Sequence, residues 1–263
     1  MTQIKQPVFR FAYLGSGSKG NAALIQSNGT CVMLDCGFSA RETSSRLARL
    51  DVEGEQLTAI VLTHEHSDHI SGAGVVARHY QIPIWTTAGT YRAIKQRLGD
   101  VPQVNIFDPH KNFEINDLML QPFPVPHDAS EPAQFVFTNG QHRLGILTDT
   151  GSSTPHIEEI LSGCDALVME CNHDLDMLMN GSYPESLKLR VSGNQGHLDN
   201  DTASELVSKL ETGNLQHIVA AHLSEKNNES HLAREALSGA VECTPEWVAI
   251  ADQERGLSWR EIV

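Results

Sequence analysis

Short apolar runs recur along the chain, and many stop abruptly at a histidine, an aspartate or a glycine. Residues 8–14 alternate weakly between apolar and polar and predict a strand, followed by a glycine- and serine-rich turn at 15–21. Two more strands are expected at 22–26 and 31–34, joined by Asn28-Gly29, a dipeptide suited to a tight hairpin. Ser39-Ala40-Arg41-Glu42 has the form of a capping box and predicts a helix through residue 50. A strand at 60–62 then leads to a helix over 70–80, where Gly72 and Gly74 weaken the helix but permit close backbone approach. Further along, the pattern predicts a strand at 82–85, a helix at 91–98 and strands at 104–107, 113–115 and 118–125. Pro122 and Pro124 mark the last of these as an edge. A hairpin at 134–147 turns at Asn139-Gly140, and Thr154-Pro155 opens a helix to residue 161. Residues 166–169 predict a buried strand. The stretch 171–200 is the least regular, with a short helix near 185–189. A helix at 201–210, a strand at 217–221 and a helix at 232–237 follow, and 247–251 with 256–259 predict a closing hairpin.

Hairpins come first and then strands alternate with helices, without repeats or linkers. That order predicts one α/β domain over residues 1–263, with two mixed sheets face to face and helices outside. Of 263 residues, 40% are hydrophobic and 20% charged, an ordinary globular balance. No apolar stretch approaches the roughly 18 residues of a membrane helix, so no membrane association is expected. Residues 1–11 lack the pattern of a secretion signal. Five scattered cysteines, including Cys171, form no Cys-x-x-Cys pair and are expected to be reduced, packed thiols in a cytoplasmic protein. The net charge of −14 argues against a broad electrostatic footprint for nucleic acid.

The pattern breaks most sharply at Ile60-Val61-Leu62-Thr63-His64-Glu65-His66-Ser67-Asp68-His69. Such polar density at the end of a buried strand is costly unless cations neutralise it. His64 and His66 can leave the strand end on one side, and Asp68 and His69 can turn in from the following helix, so the stretch can serve two adjacent ions. Imidazole suits Zn, Mn or Fe, and a carboxylate favours Mn or Zn. Three more apolar runs close on His127, Asp149 and His222, with His142 a competitor for His127. Ligands carried on the ends of adjacent strands meet at one edge of a sheet sandwich.

The His-x-His-x-Asp-His string resembles the signature of the metallo-β-lactamase superfamily. Periodicity alone gives α/β; the resemblance implies the four-layer αββα sandwich. It also implies a first ion on His64, His66 and His127, a second on Asp68, His69 and His222, and Asp149 bridging both. Asp35 would be the partner that orients a ligand. Asp68 and Asp149 thereby count as catalytic as well as ligating residues. Two ions about 3.5–4 Å apart lower the pKa of a shared water to about 7, and the bridging hydroxide is the expected nucleophile. Six further segments are similar to the YycJ group, also called WalJ or VicX. They are residues 14–21, 34–37, 127–129, 170–174, 196–198 and 222–228. That group implies a metal-dependent phosphodiesterase with 5′-to-3′ exonuclease action on double-stranded DNA. Asp199 departs from the serine expected there.

Ser16, Ser18, Lys19 and Asn21, and beyond His222 the residues Ser224, Lys226, Asn227 and Asn228, offer donors for a phosphate. The same residues would equally serve as polar turns. His173 and His197 can protonate a leaving oxygen or hold a terminal phosphate, or else are packed or surface histidines. His222 follows Asp149 by 73 positions. That spacing leaves no room for the cap domain of the β-CASP relatives, and residues 171–200 become the expected partial lid. A small-molecule hydrolase of the same fold, acting on a cyclic phosphate, thioester or lactam, is the alternative that the acidic composition favours. A binding protein with a vestigial site is a third, opposed by the intact ligand set. The sequence sets no oligomeric state.

Overall fold

A computed structural model describes residues 8–263, so most of the segment read as free of a secretion signal lies outside the described residues. One sheet is built from β1 (Phe9–Gly15), β2 (Ala22–Ser27), β3 (Thr30–Leu34), β4 (Ala59–Val61), β5 (Ile84–Thr87) and β6 (Val104–Phe107). The other contains β7 (Phe113–Ile115), β8 (Leu118–Pro124), β9 (Ala133–Thr138), β10 (Arg143–Leu147), β11 (Ala166–Glu170), β12 (His217–Ala221) and β13 (Ala249–Ile250). A last strand, β14 (Leu257–Glu261), returns to the first sheet. The orders are β14-β1-β2-β3-β4-β5-β6 and β13-β12-β11-β10-β9-β8-β7. In each sheet antiparallel pairing gives way to parallel pairing, at β3 in the first and at β10 in the second.

Alternation along the strands decides the layering. Phe11, Ile25 and Val32 of the first sheet share one core cluster with Phe135, Ile146, Val168 and Val219 of the second. Their neighbours Leu24, Met33 and Ile60 point the other way, against Leu47, Val76 and Ile94. Those three side chains come from α1 (Ala40–Ala48), α3 (Ala73–Tyr80) and α4 (Ala88–Leu98). Leu167, Met169 and Ile218 likewise meet Ile157, Leu206 and Leu237, from α5 (Pro155–Leu161), α8 (Asn200–Ser208) and α9 (Ser230–Ala240). With both faces of each sheet buried, strands read as nearly continuous apolar runs. The architecture is the expected αββα sandwich.

Several elements depart from expectation. The helix expected over 70–80 is two pieces, α2 (Ser67–Ile70) and α3. Gly72, at the break, donates its N–H to the Cys36 carbonyl at 2.8 Å, and a Cβ there would lie 2.0 Å from the Phe38 oxygen. Ser39 caps α1 as expected, but Glu42 pairs with Arg46 at 2.7 Å instead of completing the capping box. β8 lies inside β7, yet Pro122 and Pro124 fall beyond the reach of β7, where β8 has one neighbour. The expected closing hairpin is incorrect. β13 runs parallel to β12 in one sheet, whereas β14 pairs with β1 in the other, because the turn at 252–256 carries the chain across the sandwich. In the irregular stretch, α7 (Glu185–Val191) was expected and α6 (Leu175–Asn180) was not.

The turn before β2 and the loop after β3 support the metal-motif loop through their backbones. Asn21 N–H donates to the Asp68 carbonyl at 2.8 Å, Cys36 N–H to that of His69 at 2.7 Å, and Gly37 N–H to that of Asn21 at 3.0 Å. A Cβ on Gly37 would sit 1.7 Å from the Asp68 oxygen. Gly37→Ala must therefore push Asp68 away. The substitution should cost about 1–3 kcal/mol in denaturant unfolding and lower bound metal; an unchanged midpoint would contradict this packing.

Candidate metal centre

Every expected ligand follows the C-terminal end of a strand, and all of these ends lie at one edge of the sandwich. His64, His66, Asp68 and His69 follow β4; His127 follows β8, Asp149 follows β10 and His222 follows β12. Asp149 and His222 adopt left-handed backbone conformations, φ 53° and 58°, as does Asp35 after β3 at 60°. Short polar residues and histidine tolerate this region better than branched ones do. The twist turns the chain sharply off each strand.

Hydrogen bonds at Nδ1 set the protonation of four rings, those of His64, His69, His127 and His222. His127 Nδ1 lies 3.0 Å from the Gly196 carbonyl, which can only accept, so the proton is on Nδ1 and Nε2 carries a lone pair. Thr63 gives its hydroxyl proton to Asp35 and accepts from His64 Nδ1 at 2.9 Å, leaving His64 Nε2 free. These two Nε2 atoms converge on His66 Nδ1, at 3.2 and 3.0 Å. His69 Nδ1 donates to Asp35 at 2.7 Å, and His222 Nδ1 donates to Glu170 at 2.8 Å. Their Nε2 atoms stand 3.3 and 3.7 Å from Asp68 Oδ2. Asp149 Oδ2 lies 3.5 Å from His69 Nε2.

The donor atoms therefore fall into sets of metal-binding dimensions: His64, His66 and His127; Asp68, His69 and His222; and Asp149 with His64 and His69. Asp149 Oδ2 and His222 Nε2 are buried without a hydrogen-bond partner. Two orphaned buried atoms facing lone pairs and carboxylates fit divalent cations, and the all-His/Asp donor set suits Zn or a harder ion. A further grouping of Asp149, Glu170, His197 and His222 meets through Nδ1 atoms that donate to Glu170, so it is a hydrogen-bond network. His142, the competitor, lies 3.8 Å from Asp165 near the start of β10, outside these groups.

Glu170 was absent from the sequence-derived site. It is fully buried and accepts from Asp149 N, Thr150 N, His197 Nδ1, Leu198 N and His222 Nδ1 at 2.8–3.1 Å. Burial alone would raise its pKa, but His197 and the other donors bring it down to about 2. A carboxylate closing the apolar run of β11 was the available signal, the same one that marks Asp149. Burial also lowers the histidines, and at His64 and His127 it prevails. At His69 the carboxylates of Asp149 and Asp35 overcome it, raising the ring well above its usual value. At His222 Asp149, Asp68 and Glu170 do the same and raise it to about 10.

His66, Asp68, Asp149 and His222 bring one side of the cluster to a groove of about 350 Å³. Of the expected phosphate contacts, Ser18, Ser224 and Asn227 line it. Ser16 instead accepts from His222 N at 2.9 Å, and Asn21 donates to Asp68 Oδ2 at 3.3 Å, so both brace ligands. Asn228 is tied to Asn200 and the Cys171 carbonyl, and Lys19 pairs with Glu225 at 2.8 Å. His197 reaches the groove; His173 is fully buried and does not line it. Asp199, where serine was expected, caps α8 by accepting from Thr202 N at 2.8 Å, a task serine also performs. The 171–200 stretch supplies Leu187, Arg190 and Val191 to the groove, as the expected lid requires.

Residues 30–222 match the model of the β-lactamase superfamily domain. The exodeoxyribonuclease YycJ of Bacillus anthracis is 35% identical over 88% of this chain and 89% of that protein. The chain belongs to the metallo-β-lactamase superfamily, in its YycJ/WalJ branch. The exodeoxyribonuclease WalJ of Streptococcus pneumoniae is 34% identical over 86% of this chain and 85% of that protein. Two solved structures share the fold. YhfI from Bacillus subtilis has a TM-score of 0.76 at 16% identity and covers 97% of this chain and 100% of its own. Zn²⁺-bound PqqB from Methylobacterium extorquens scores 0.74 at 17% identity, covering 95% of this chain and 99% of its own. Among the described residues no helix is long and apolar enough to cross a membrane.

Because Glu170 orients two rings and two backbone turns, Glu170→Gln should weaken metal affinity about 10- to 100-fold. Metal titration by isothermal calorimetry checks this, and unchanged affinity would remove Glu170 from the centre. In the metal-free protein His222 is protonated up to about pH 10, whereas a ligand must be neutral. Metal uptake at pH 7 should therefore release protons, and apparent affinity should rise with pH toward 10. A weakly buffered titration without acidification would contradict the assignment. The His222–Glu170 pair stabilises the metal-free fold fully between about pH 4.5 and 6.5, the unperturbed values. Its contribution fades as pH rises toward 10 or falls toward 2.

Proposed function

We propose that the protein is a dinuclear-metal-dependent phosphodiesterase, a DNA exonuclease acting from 5′ to 3′. The observation that carries this reading is the convergence of seven His and Asp side chains, four of which, His66, Asp68, Asp149 and His222, line one groove. His64, His66 and His127 would hold one divalent ion and Asp68, His69 and His222 a second, with Asp149 close to donor atoms of both sets; Mn or Zn suits these donors, with Fe the remaining option. When bound, such ions activate water for attack at phosphorus and offset the charge that develops there. The chain's own residues supply the rest. Asp35 and Glu170 hold the rings of His69 and His222 in one tautomer, and Ser18 and Ser224 offer hydroxyls to phosphate oxygens from the groove wall. His197, fixed at Nδ1 by Glu170 and lining the groove, is placed to pass a proton to a leaving oxygen.

Two exodeoxyribonucleases, YycJ and WalJ, that align with this chain along most of their length support DNA as substrate. The single-domain reading of residues 1–263 rests on the core shared by both sheets, which runs from Phe9 to Ile262. Five free cysteines, four of them buried, favour a reducing compartment, the cytoplasm. A second reading, hydrolysis of a cyclic phosphate, thioester or lactam, draws on the net charge of −14 and on a cavity of single-ligand size.

Protein loaded with Mn²⁺ should shorten end-labelled duplex DNA from the 5′ end, and Asp149→Ala should reduce that rate to background. Intact DNA alongside rapid turnover of bis-p-nitrophenyl phosphate or a cyclic nucleotide would transfer the assignment to the second reading. Undiminished hydrolysis by Asp149→Ala would dissolve the metal mechanism altogether.

A further inference from the structure

α7 buries none of its residues, yet at positions i, i+3 and i+4 it turns Leu187, Arg190 and Val191 to the groove that holds the ligand cluster. Tyr183, just ahead of the helix, lines the same cavity and is its one Phe, Tyr or Trp among the described residues. It is half-buried, and Lys226 Nζ, from the loop beyond His222, stands 5.6 Å from its ring centroid. An aromatic and aliphatic wall beside a phosphate-handling floor suits a unit with a flat apolar ring at one end and a phosphate at the other. At about 350 Å³ the cavity is near the small end for ligand sites, room for one nucleotide rather than for a duplex end.

Resting on the DNA-cleaving reading, we propose that Tyr183 is a stacking platform for the terminal nucleobase, which leaves its pair and enters the groove before hydrolysis. Leu187 and Val191 border the base, and Lys226 meets the adjoining phosphate. Extraction of an end base breaks one pair and one stack; the ring of Tyr183 restores a stack, and does so for any base. Digestion through such a platform is therefore tolerant of sequence.

Binding of metal-loaded protein to phosphorothioate-protected duplexes, with the terminal nucleotide intact or abasic, tests the platform. Tyr183→Leu should hold intact ends about 5- to 150-fold more weakly than wild type does, the worth of one base–aromatic stack. At abasic ends the two should bind alike, and Tyr183→Phe should match wild type at both. Thermal midpoint and metal content report whether each variant is folded, and if Tyr183→Leu is not, Tyr183→Met takes its place. No loss at intact ends, or equal losses at both, overturns the platform while leaving the exonuclease reading in place. Wild-type protein that neither binds nor degrades DNA overturns that reading and the platform with it.

Discussion

A ring nitrogen can hold a cation only if the other nitrogen keeps the proton, and the structure meets that condition residue by residue. His127 gives its Nδ1 proton to a backbone carbonyl, His64 to a threonine hydroxyl, His69 to Asp35 and His222 to Glu170. Each acceptor is fixed by something else. Asp35 also receives the Thr63 amide, and Glu170 receives the amides of Asp149, Thr150 and Leu198. The centre is thus specified one layer out from the ligands, where buried carboxylates set tautomer and ring direction together.

This arrangement is expensive without cations. Asp149, Asp35 and Glu170 are buried carboxylates, and an ionised group removed from water costs several kcal/mol unless it is paired. Two of the three, with His222, stand at or next to left-handed backbone positions, each carrying roughly 1–3 kcal/mol of strain. Protonation of His69 and His222 compensates in the metal-free protein. Cations do so without protons when bound. The rest of the sandwich is what makes the cost tolerable, since three apolar layers hold the strand ends rigid however the charges are balanced.

The sequence revealed what depends on local periodicity and on residue type at strand ends. The seven candidates that the structure brings together were legible because the string at 64–69 follows one apolar run and His127, Asp149 and His222 each close another, while the resemblance supplied their grouping into a ligand set. Glu170 obeys the same rule but was passed over, since a glutamate after Met169 also reads as an ordinary strand terminus. The closing hairpin misled because β13 and β14 are adjacent in sequence while their pairing is decided by which sheet edge lies open, a tertiary matter. Ser16, Asn21 and Asn228 are polar in polar turns, and only three-dimensional placement tells a side chain that faces the groove from one that braces a ligand.

An acidic chain that handles nucleic acid must concentrate its positive charge. In the groove Arg190 is held by Asp128 at 2.7 Å, and outside its lining Lys19 is held by Glu225 at 2.8 Å, so these two cations are largely neutralised by their own partners, unlike Lys226 beside Tyr183. Bound divalent ions would then be the dominant positive charge a phosphate meets, and they lie at the floor rather than along a surface track. Such a layout attracts one phosphate at a time instead of a length of backbone. It favours an enzyme that works at chain ends over one that coats duplex DNA, which reconciles a net charge of −14 with a polynucleotide substrate.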